Sequence, residues 1–183
     1  MRNVVLLLFL SLDGVADEPS DWFFDDGPEL FALIGRVLEN QTDVLLGRGT
    51  YDYWVDYWPT SDVEPFASFI NRTRKHVATS SDLTGDWNNS VRMTLPVTDY
   101  VRDLKQQSGG DIGIHGSIAL ARSLIAARLV DVLRLVMPPT IAGHGKRLFA
   151  ADAETDLQQF DLVDVERSPK GTLFLHYRAR TEE

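Results

Sequence analysis

Cysteine is absent from this sequence of 183 residues. Its absence excludes disulfides, thiolate nucleophiles and zinc–thiolate sites. Long apolar runs are lacking too, and the apolar opening at residues 4–10 is far shorter than the roughly 18 residues of a membrane span. The four histidines lie far apart and lack the spacing of metal ligands, so no metal site is predicted. These absences favour a soluble, cytoplasmic protein.

Positive charge is scarce. Eighteen lysines and arginines stand against 27 aspartates and glutamates, which gives a formal net charge of −9 and an isoelectric point near 4.9. This balance disfavours nucleic acids and anionic membranes as partners. An anionic cofactor remains compatible with it if positive potential is concentrated locally. The length and the ordinary apolar fraction of 44% predict a single domain over residues 1–183.

Short apolar runs alternate with helical patterns along the chain. Strands are predicted at residues 4–10, 43–46, 75–79, 111–115 and 131–137. Helices are predicted from Pro28, over residues 63–71, from an N-cap at Thr98 to Gln107, and over residues 118–129. Residues 160–167 and 172–178 alternate around a Pro-Lys-Gly turn, which indicates a hairpin. The pattern predicts a three-layer αβα fold with a mostly parallel central sheet and an antiparallel edge hairpin at the carboxyl terminus.

Three predicted strands run into segments rich in glycine and hydroxyl groups. Those segments contain Gly47, Arg48, Gly49 and Thr50, then Thr79, Ser80 and Ser81, and finally Gly116 and Ser117 before Ile118. Ligands of open α/β sheets bind beyond the carboxyl ends of the strands, where small residues allow close approach and N–H groups meet anions. If the three strands are neighbours, the segments form one anion-binding rim for a dinucleotide. Taken singly, each segment can equally be a tight turn, a loop or a plain helix start, and none matches G-x-G-x-x-G or the P-loop.

The order and spacing of several motifs resemble the dihydrofolate-reductase-like superfamily. The likeness is closest to stand-alone relatives of the reductase domain of bacterial riboflavin biosynthesis, and it extends over about residues 3–178. It is carried by Ser11-Leu12-Asp13-Gly14, by residues 45–51, by His115-Gly116-Ser117-Ile118-Ala119-Leu120, and by residues 129–135 and 138–149.

The resemblance implies an NADPH-dependent reductase. It assigns Arg48, Thr50, Ser80 and Ser81 to the adenosine side of NADPH, including the 2′-phosphate. It places the Gly116-Ser117 pair, which is Gly-Gly in many members, at the pyrophosphate and nicotinamide. The loop at residues 12–14 is then a partial lid beside the nicotinamide. Related reductase domains commonly pair, so a homodimer is expected.

The substrate side departs from the family. Phe31 stands near the position where folate reductases carry an acid, and residues 50–58 lack the Thr-x-x-x-Asp-x-Pro segment of riboflavin-type reductases. An aromatic zone that includes Trp22, Phe31, Tyr51 and Trp54 can enclose a flat heterocycle, although packing in the core or in a dimer is the alternative for each. Asp13 and Asp26 are predicted to orient or protonate a substrate nitrogen, with a pKa raised by the pocket. Solvated loop acids are the alternative.

The leading hypothesis is therefore an NADPH-dependent reductase of a pterin, pyrimidine or related heterocycle. It is similar to a 5-amino-6-(5-phosphoribosylamino)uracil reductase. A true dihydrofolate reductase and a non-catalytic module that binds a dinucleotide or another ligand are the alternatives.

Overall fold

The structure, a computed structural model, describes residues 1–149 and 156–180. The single domain predicted for residues 1–183 also includes residues 150–155 and 181–183, which lie outside the described part. Strands in the described part are β1 (Val4–Phe9), β2 (Gln41–Gly47), β3 (Arg74–Ala78), β4 (Ser90–Arg92), β5 (Asp111–Ile114), β6 (Val132–Met137), β7 (Phe160–Arg167) and β8 (Leu173–Ala179). Helices there are α1 (Pro28–Leu38), α2 (Arg48–Trp54), α3 (Phe66–Arg72), α4 (Val97–Gln106) and α5 (Ile118–Ala126).

These strands form one sheet in the order β4-β3-β2-β5-β1-β6-β8-β7. From β4 to β6 all neighbours are parallel, whereas β8 runs antiparallel to both β6 and β7. The predicted fold class, including the antiparallel edge hairpin, is confirmed. Because the first six strands are parallel, their carboxyl ends all lie at one edge of the sheet, which is called the carboxyl edge below.

Alternating side chains of the strands divide the core into two layers. On β1, Leu6 packs with the buried side chains of α4 and α5, whereas Val5 and Leu7 pack with those of α1. On β2, Leu45 faces the α4 and α5 layer, and Val44 faces α3. The period of two along each strand therefore buries both faces of the sheet.

Several predicted helix boundaries are wrong. The predicted N-cap at Thr98 lies inside α4, because Pro96 with its extended backbone is the actual N-cap. The helix predicted over residues 63–71 begins only after Pro65. The helix predicted to reach residue 129 ends at Ala126, since Arg128 adopts a left-handed conformation with φ of 55°.

Two elements lack a sequence prediction altogether. The α2 helix starts with Gly49 in its first turn, and glycine is among the poorest helix formers. The β4 strand has three residues and is too short for alternation to be recognised. Within residues 1–149 and 156–180, no helix has the length and apolar character to cross a membrane. In the same ranges, no group of three or more histidine, aspartate or glutamate side chains is arranged to hold a metal ion.

Candidate active site at the carboxyl edge

The three predicted binding segments lie side by side. They follow β3, β2 and β5, which are consecutive in the sheet. The strand register pairs Gly47 with Ala78 of β3 and Leu45 with Ile114 of β5, so the segments leave the sheet at nearly the same height. The three strands are therefore neighbours, as one shared anion-binding rim requires.

Four residues from two of these segments pack without space between them, and we call them the exit cluster: Gly47, Thr50, Gly116 and Ser117. The Gly47 N–H donates to the Gly116 carbonyl at 3.3 Å. A Cβ atom on Gly47 would overlap the Ser117 hydroxyl and lie 2.9 Å from the Ser117 Cβ. A Cβ atom on Gly116, whose φ is 142°, would lie 2.9 Å from the Thr50 hydroxyl. Neither glycine can therefore be replaced without moving a neighbour.

Ser117 connects the exit cluster to the start of α5. The Gly116–Ser117 peptide bond is cis. The Ser117 hydroxyl accepts from the Leu120 N–H at 3.3 Å and caps the helix, which begins at Ile118. The remaining N–H groups of the first turn of α5 are available as donors at the carboxyl edge.

Arg48 joins the exits of β2 and β3. One guanidinium nitrogen, Nη1, donates to the Thr79 hydroxyl at 3.2 Å, to the Ser81 hydroxyl, and to the Asp82 carbonyl at 3.2 Å. The Nε atom donates to both carboxylate oxygens of Asp52, at 2.8 and 2.6 Å. The side chain is therefore held in place between the two segments by contacts on both of its edges.

Asp52 partly neutralises the positive charge of Arg48. Its carboxylate accepts from Arg48 and, at 2.8 Å, from the Thr84 hydroxyl, and these bonds lower the pKa of Asp52. Within the described part of the chain, Arg48 Nη2 has no protein partner. The guanidinium thus keeps donors for a further acceptor, although its charge is partly balanced by Asp52.

A cleft of about 550 Å³ opens beside these groups at the exits of β3 and β4. One side is polar and carries Thr79, Ser80 and Arg92, whose guanidinium donates to the Ser80 carbonyl at 3.4 Å. The remaining lining is mainly apolar, with Ala78, Met93, Leu95, Pro96 and Val97 among its members. A flat apolar group with an anionic substituent fits such a lining.

Two of the predicted substrate residues lie in the core instead. Tyr51 is only 1% exposed and packs against Trp87, and burial raises its pKa. Trp22 is 6% exposed, and its indole N–H donates to the Asp17 carbonyl at 2.8 Å. Both side chains are thus buried in the core and expose almost no surface to a bound molecule.

The other two predicted aromatic residues keep accessible surface. Phe31 on α1 is 39% exposed. Trp54 at the end of α2 is partly buried, with ring centroids 5.8 Å from Trp58 and 5.6 Å from Phe66. Trp54, Trp58 and Phe66 form what we call the aromatic wall. Phe66 also stacks edge-on against His115, with centroids 5.2 Å apart.

Asp13 ties two loops together. Its carboxylate accepts from the Ser11 hydroxyl at 2.7 Å, from the Ala142 N–H at 2.9 Å and from the Gly143 N–H at 3.0 Å. These bonds lower the pKa of Asp13 to about 2. The predicted raised pKa is therefore wrong, and the carboxylate stays ionised at neutral pH.

Backbone bonds join the same two loops along their length. The Leu12 N–H donates to the Thr140 carbonyl at 2.8 Å, and the Ala16 N–H donates to the Lys146 carbonyl at 2.9 Å. Val15 and Arg147 form an antiparallel bridge between them. The segment at residues 11–17 is thus one side of a double loop, and residues 140–148 are the other.

Asp26, the second predicted acid, projects into solvent. Its side chain is 87% exposed and lies 3.5 Å from Lys170 Nζ. The adjacent Asp25 is the buried acid of this loop, with a carboxylate that accepts from the Ser168 hydroxyl. Burial opposes ionisation of Asp25, but the hydrogen bonds outweigh it and lower its pKa. The pKa of Asp25, for which the sequence gave no expectation, is thus lowered like that of Asp13.

His115 belongs to the site although the sequence analysis gave it no role. It directly precedes Gly116, and its Nε2 lies 2.8 Å from the Gln41 side-chain oxygen. Burial between aromatic rings lowers the pKa of His115 to about 3, so the ring is neutral at ordinary pH. Its position directly after the apolar run of β5 was the feature of the sequence that could have identified it as a site residue. Arg92 is the last residue of β4, which is too short to recognise from the sequence, so it gave no comparable signal.

The chain matches a known protein family over most of its length. Residues 2–174 match the family model described as "RibD C-terminal domain". Among curated proteins, the chain is 28% identical over 156 residues to the uncharacterized protein YyaP of Bacillus subtilis strain 168. That alignment spans 81% of this chain and 80% of YyaP.

Solved structures share the fold at low sequence identity. A pyrimidine reductase-like protein from Corynebacterium diphtheriae superposes with a TM-score of 0.71 at 14% identity, over 99% of this chain and 93% of that one. A diaminohydroxyphosphoribosylaminopyrimidine deaminase/5-amino-6-(5-phosphoribosylamino)uracil reductase from Thermotoga maritima gives 0.68 at 19% identity, over 98% and 57%. Dihydrofolate reductase from Enterococcus faecalis, complexed with NADP(H), gives 0.61 at 16% identity, over 98% and 97%.

Proposed function

The chain belongs to the RibD C-terminal domain family, and from that premise we propose that it is an NADPH-dependent reductase of a flat nitrogen heterocycle. The observation that carries the proposal is the convergence of three glycine- and hydroxyl-rich exits on consecutive parallel strands. Exits of this kind at the carboxyl edge are where α/β folds bind dinucleotides. The absence of a G-x-G-x-x-G motif is no obstacle, because the donors come from three segments.

The adenosine half of NADPH fits the exits of β2 and β3. Arg48, Ser80 and Ser81 supply donors for the 2′-phosphate. Arg48 Nη2, which has no partner within the described part of the chain, is the group best able to donate to it. The apolar side of the 550 Å³ cleft offers a surface for the adenine ring. The polar and apolar sides of the cleft thus match the two chemistries of an adenosine phosphate.

The pyrophosphate and nicotinamide halves fit the exit cluster. The first turn of α5 at Ser117 and Ile118 presents backbone N–H groups to an anion. The two glycines Gly47 and Gly116 keep that surface free of side chains, and Thr50 lies against them. When bound, the nicotinamide supplies a hydride to the substrate, and the protein positions both and excludes water.

A heterocyclic substrate would lie beyond the β5 exit, between the aromatic wall and the loop that follows β1. Phe31 and Trp54 are the aromatic side chains with surface to offer a flat ring. The names of the Corynebacterium and Thermotoga neighbours refer to pyrimidine chemistry, which supports a pyrimidine substrate. True dihydrofolate reductase activity is less well supported, because Phe31 stands near the position of the acid in folate reductases.

Titration calorimetry tests the proposed cofactor. We expect NADPH to bind with a Kd of micromolar order, more tightly than NADH, because the 2′-phosphate adds charge-assisted hydrogen bonds. NADPH oxidation with a panel of pterins and pyrimidines then separates an enzyme from a binding module. If neither dinucleotide produces heat of binding at concentrations of about 1 mM, the proposal is wrong.

We also propose that two copies pair through the outer face of the β7–β8 hairpin. Leu162 and Val165 are 54% and 49% exposed, and the register pairs them with Tyr177 and Leu175. Paired residues lie on the same face of a sheet, so Leu162 and Val165 form an apolar strip with Tyr177 and Leu175. Leu175 and Tyr177 pack against the core layer that contains α5, and the strip extends that layer toward the edge of the sheet. A second copy would cover the strip, and an isologous dimer is the commonest arrangement for such a surface.

Exchanging Val165 for aspartate is expected to convert the dimer to a monomer in sedimentation velocity at micromolar concentration. Val63→Asp is the matched control, since Val63 is also an exposed valine, at 43%, on a loop far from the hairpin. A wild-type protein that sediments as a monomer rules the dimer out. A dimer that survives the Val165 change places the interface elsewhere.

A further inference from the structure

The two chain segments that flank the β5 exit contain no lysine and no arginine. Residues 3–35 form β1, the loop after it and most of α1, and residues 49–71 form α2 beyond Arg48, the connection that follows it and most of α3. Because β1 and β2 lie on either side of β5, their carboxyl-edge connections form the two walls beside Gly116 and Ser117. Neither wall contributes a cation to the space between them.

Both walls are rich in carboxylates. The first carries seven acids, namely Asp13, Asp17, Glu18, Asp21, Asp25, Asp26 and Glu29. The second carries Asp52, Asp56, Asp62 and Glu64. Asp52 is balanced by Arg48, whereas Asp56 and Asp62 form no ion pair within the described part of the chain.

Basic residues from other loops do reach the first wall, but each meets a carboxylate there. Lys146 lies 3.8 Å from Asp17, and Arg147 Nη2 lies 3.6 Å from Asp13. Lys170 lies 3.5 Å from Asp26. Three cations against seven acids leave this wall negative by four charges. His115 cannot compensate, because its ring is neutral at ordinary pH.

The charge carried by the side chains at the carboxyl edge therefore changes sign between the β3 side and the β1 side of the β5 exit. Arg48 and Arg92 stand toward β3, where the proposed function places the 2′-phosphate of the dinucleotide. Toward β1 and α1, a ligand meets the carboxylates of residues 3–35, whereas the aromatic wall belongs to residues 49–71. An anionic group there is repelled, since like charges a few ångströms apart cost free energy wherever the local dielectric is below that of water.

From this asymmetry we infer that the substrate carries no phosphate: it is an uncharged or cationic nitrogen heterocycle. The inference rests on the proposed function and narrows its substrate class. Phosphate recognition in proteins relies on arginine or lysine and on helix N-termini. Residues 3–35 and 49–71 contain neither cation, and Arg48, the first residue of α2, is bonded toward the β3 exit. A neutral flat ring instead gains contact with Phe31 and Trp54, and a protonated ring gains attraction from the carboxylates.

Two ligands that differ only in the phosphate test this directly. The probes are 5-amino-6-(5-phosphoribosylamino)uracil and its dephosphorylated form, titrated into the NADPH-loaded protein and followed by tryptophan fluorescence. We expect the dephosphorylated form to bind at least about tenfold more tightly, which corresponds to about 1.4 kcal/mol. Raising the salt concentration should narrow the difference, because screening weakens the repulsion.

A charge-reversal pair adds an internal control. Glu29 and Glu39 are both exposed and lie at opposite ends of α1, with Glu29 at the carboxyl edge. Glu29→Lys should improve binding of the phosphate form several-fold, whereas Glu39→Lys should leave it unchanged.

Equal or tighter binding of the phosphate form overturns the inference, as does the failure of both probes to bind the loaded protein at millimolar concentration. Normal NADPH binding in those cases leaves the proposed cofactor standing. Absence of NADPH binding instead overturns the proposed function, and this inference with it.

Discussion

Gly47→Ala is expected to reduce NADPH and NADH binding by at least about 100-fold, equivalent to about 2.7 kcal/mol. A methyl group at this position would overlap the Ser117 hydroxyl and lie 2.9 Å from its Cβ. Ser117 caps α5 by accepting from the Leu120 N–H, so it cannot move without displacing the first turn of that helix. Both dinucleotides lose affinity because the disturbed surface is the one proposed for the pyrophosphate. Calorimetry with each dinucleotide measures the loss.

The same turn provides the control. A methyl group on Gly49 meets no atom within 4 Å, and Gly49 lies inside α2, where alanine is the better helix former. Gly49→Ala should therefore fold as well as the parent or better, whereas overpacking at Gly47 costs about 1–3 kcal/mol of unfolding free energy. If Gly47→Ala binds NADPH like the parent protein, the exit cluster is not the pyrophosphate site.

Replacing Arg48 by alanine should weaken NADPH by about 10–150-fold and NADH by less than about threefold. The range follows from about 1.5–3 kcal/mol for hydrogen bonds to a charged group. The guanidinium is already fixed by Thr79, Ser81 and Asp52, so its remaining donors stand ready for a phosphate. Its removal also leaves Asp52 as an unbalanced negative charge beside the bound anion. The ratio of the two dissociation constants is the decisive quantity.

Arg36→Ala removes the same charge from a different place. Arg36 pairs with Glu166 on the exposed side of α1, at 2.6 Å, and has no role in the proposed site. We expect this variant to bind both dinucleotides like the parent protein. Equal losses for NADPH and NADH in Arg48→Ala would exclude a specific contact with the 2′-phosphate.

The sequence was sufficient to predict the fold class, because period-two and period-3.6 patterns report burial residue by residue. The exits of β2, β3 and β5 stood out for the same reason, since each apolar run stops at glycine or hydroxyl residues. Strand order is a property of distant pairs, so only the structure could establish that these exits are adjacent. Helix ends were less predictable, since Pro65, Pro96 and Arg128 act through backbone geometry rather than through apolar periodicity.

Side-chain roles at the site were harder to predict than the fold. Aromatic residues serve equally well in a core or in a pocket, and the sequence did not distinguish buried Tyr51 from half-buried Trp54. The pKa of Asp13 is lowered by the Ser11 hydroxyl two positions earlier and by two N–H groups about 130 positions further along the chain. The sequence does not show that the distant N–H groups reach this carboxylate, and the expected raised pKa was wrong.

The double loop has a thermodynamic consequence for ligand binding. Residues 11–17 are fixed by the Asp13 carboxylate and by backbone bonds to residues 140–148, all of them contacts within the folded chain itself. Ordering a free loop on binding would cost about 1–2 kcal/mol of backbone conformational entropy per residue. Most of that loss has already been incurred during folding, so contacts made by this segment can appear almost undiminished in the measured affinity.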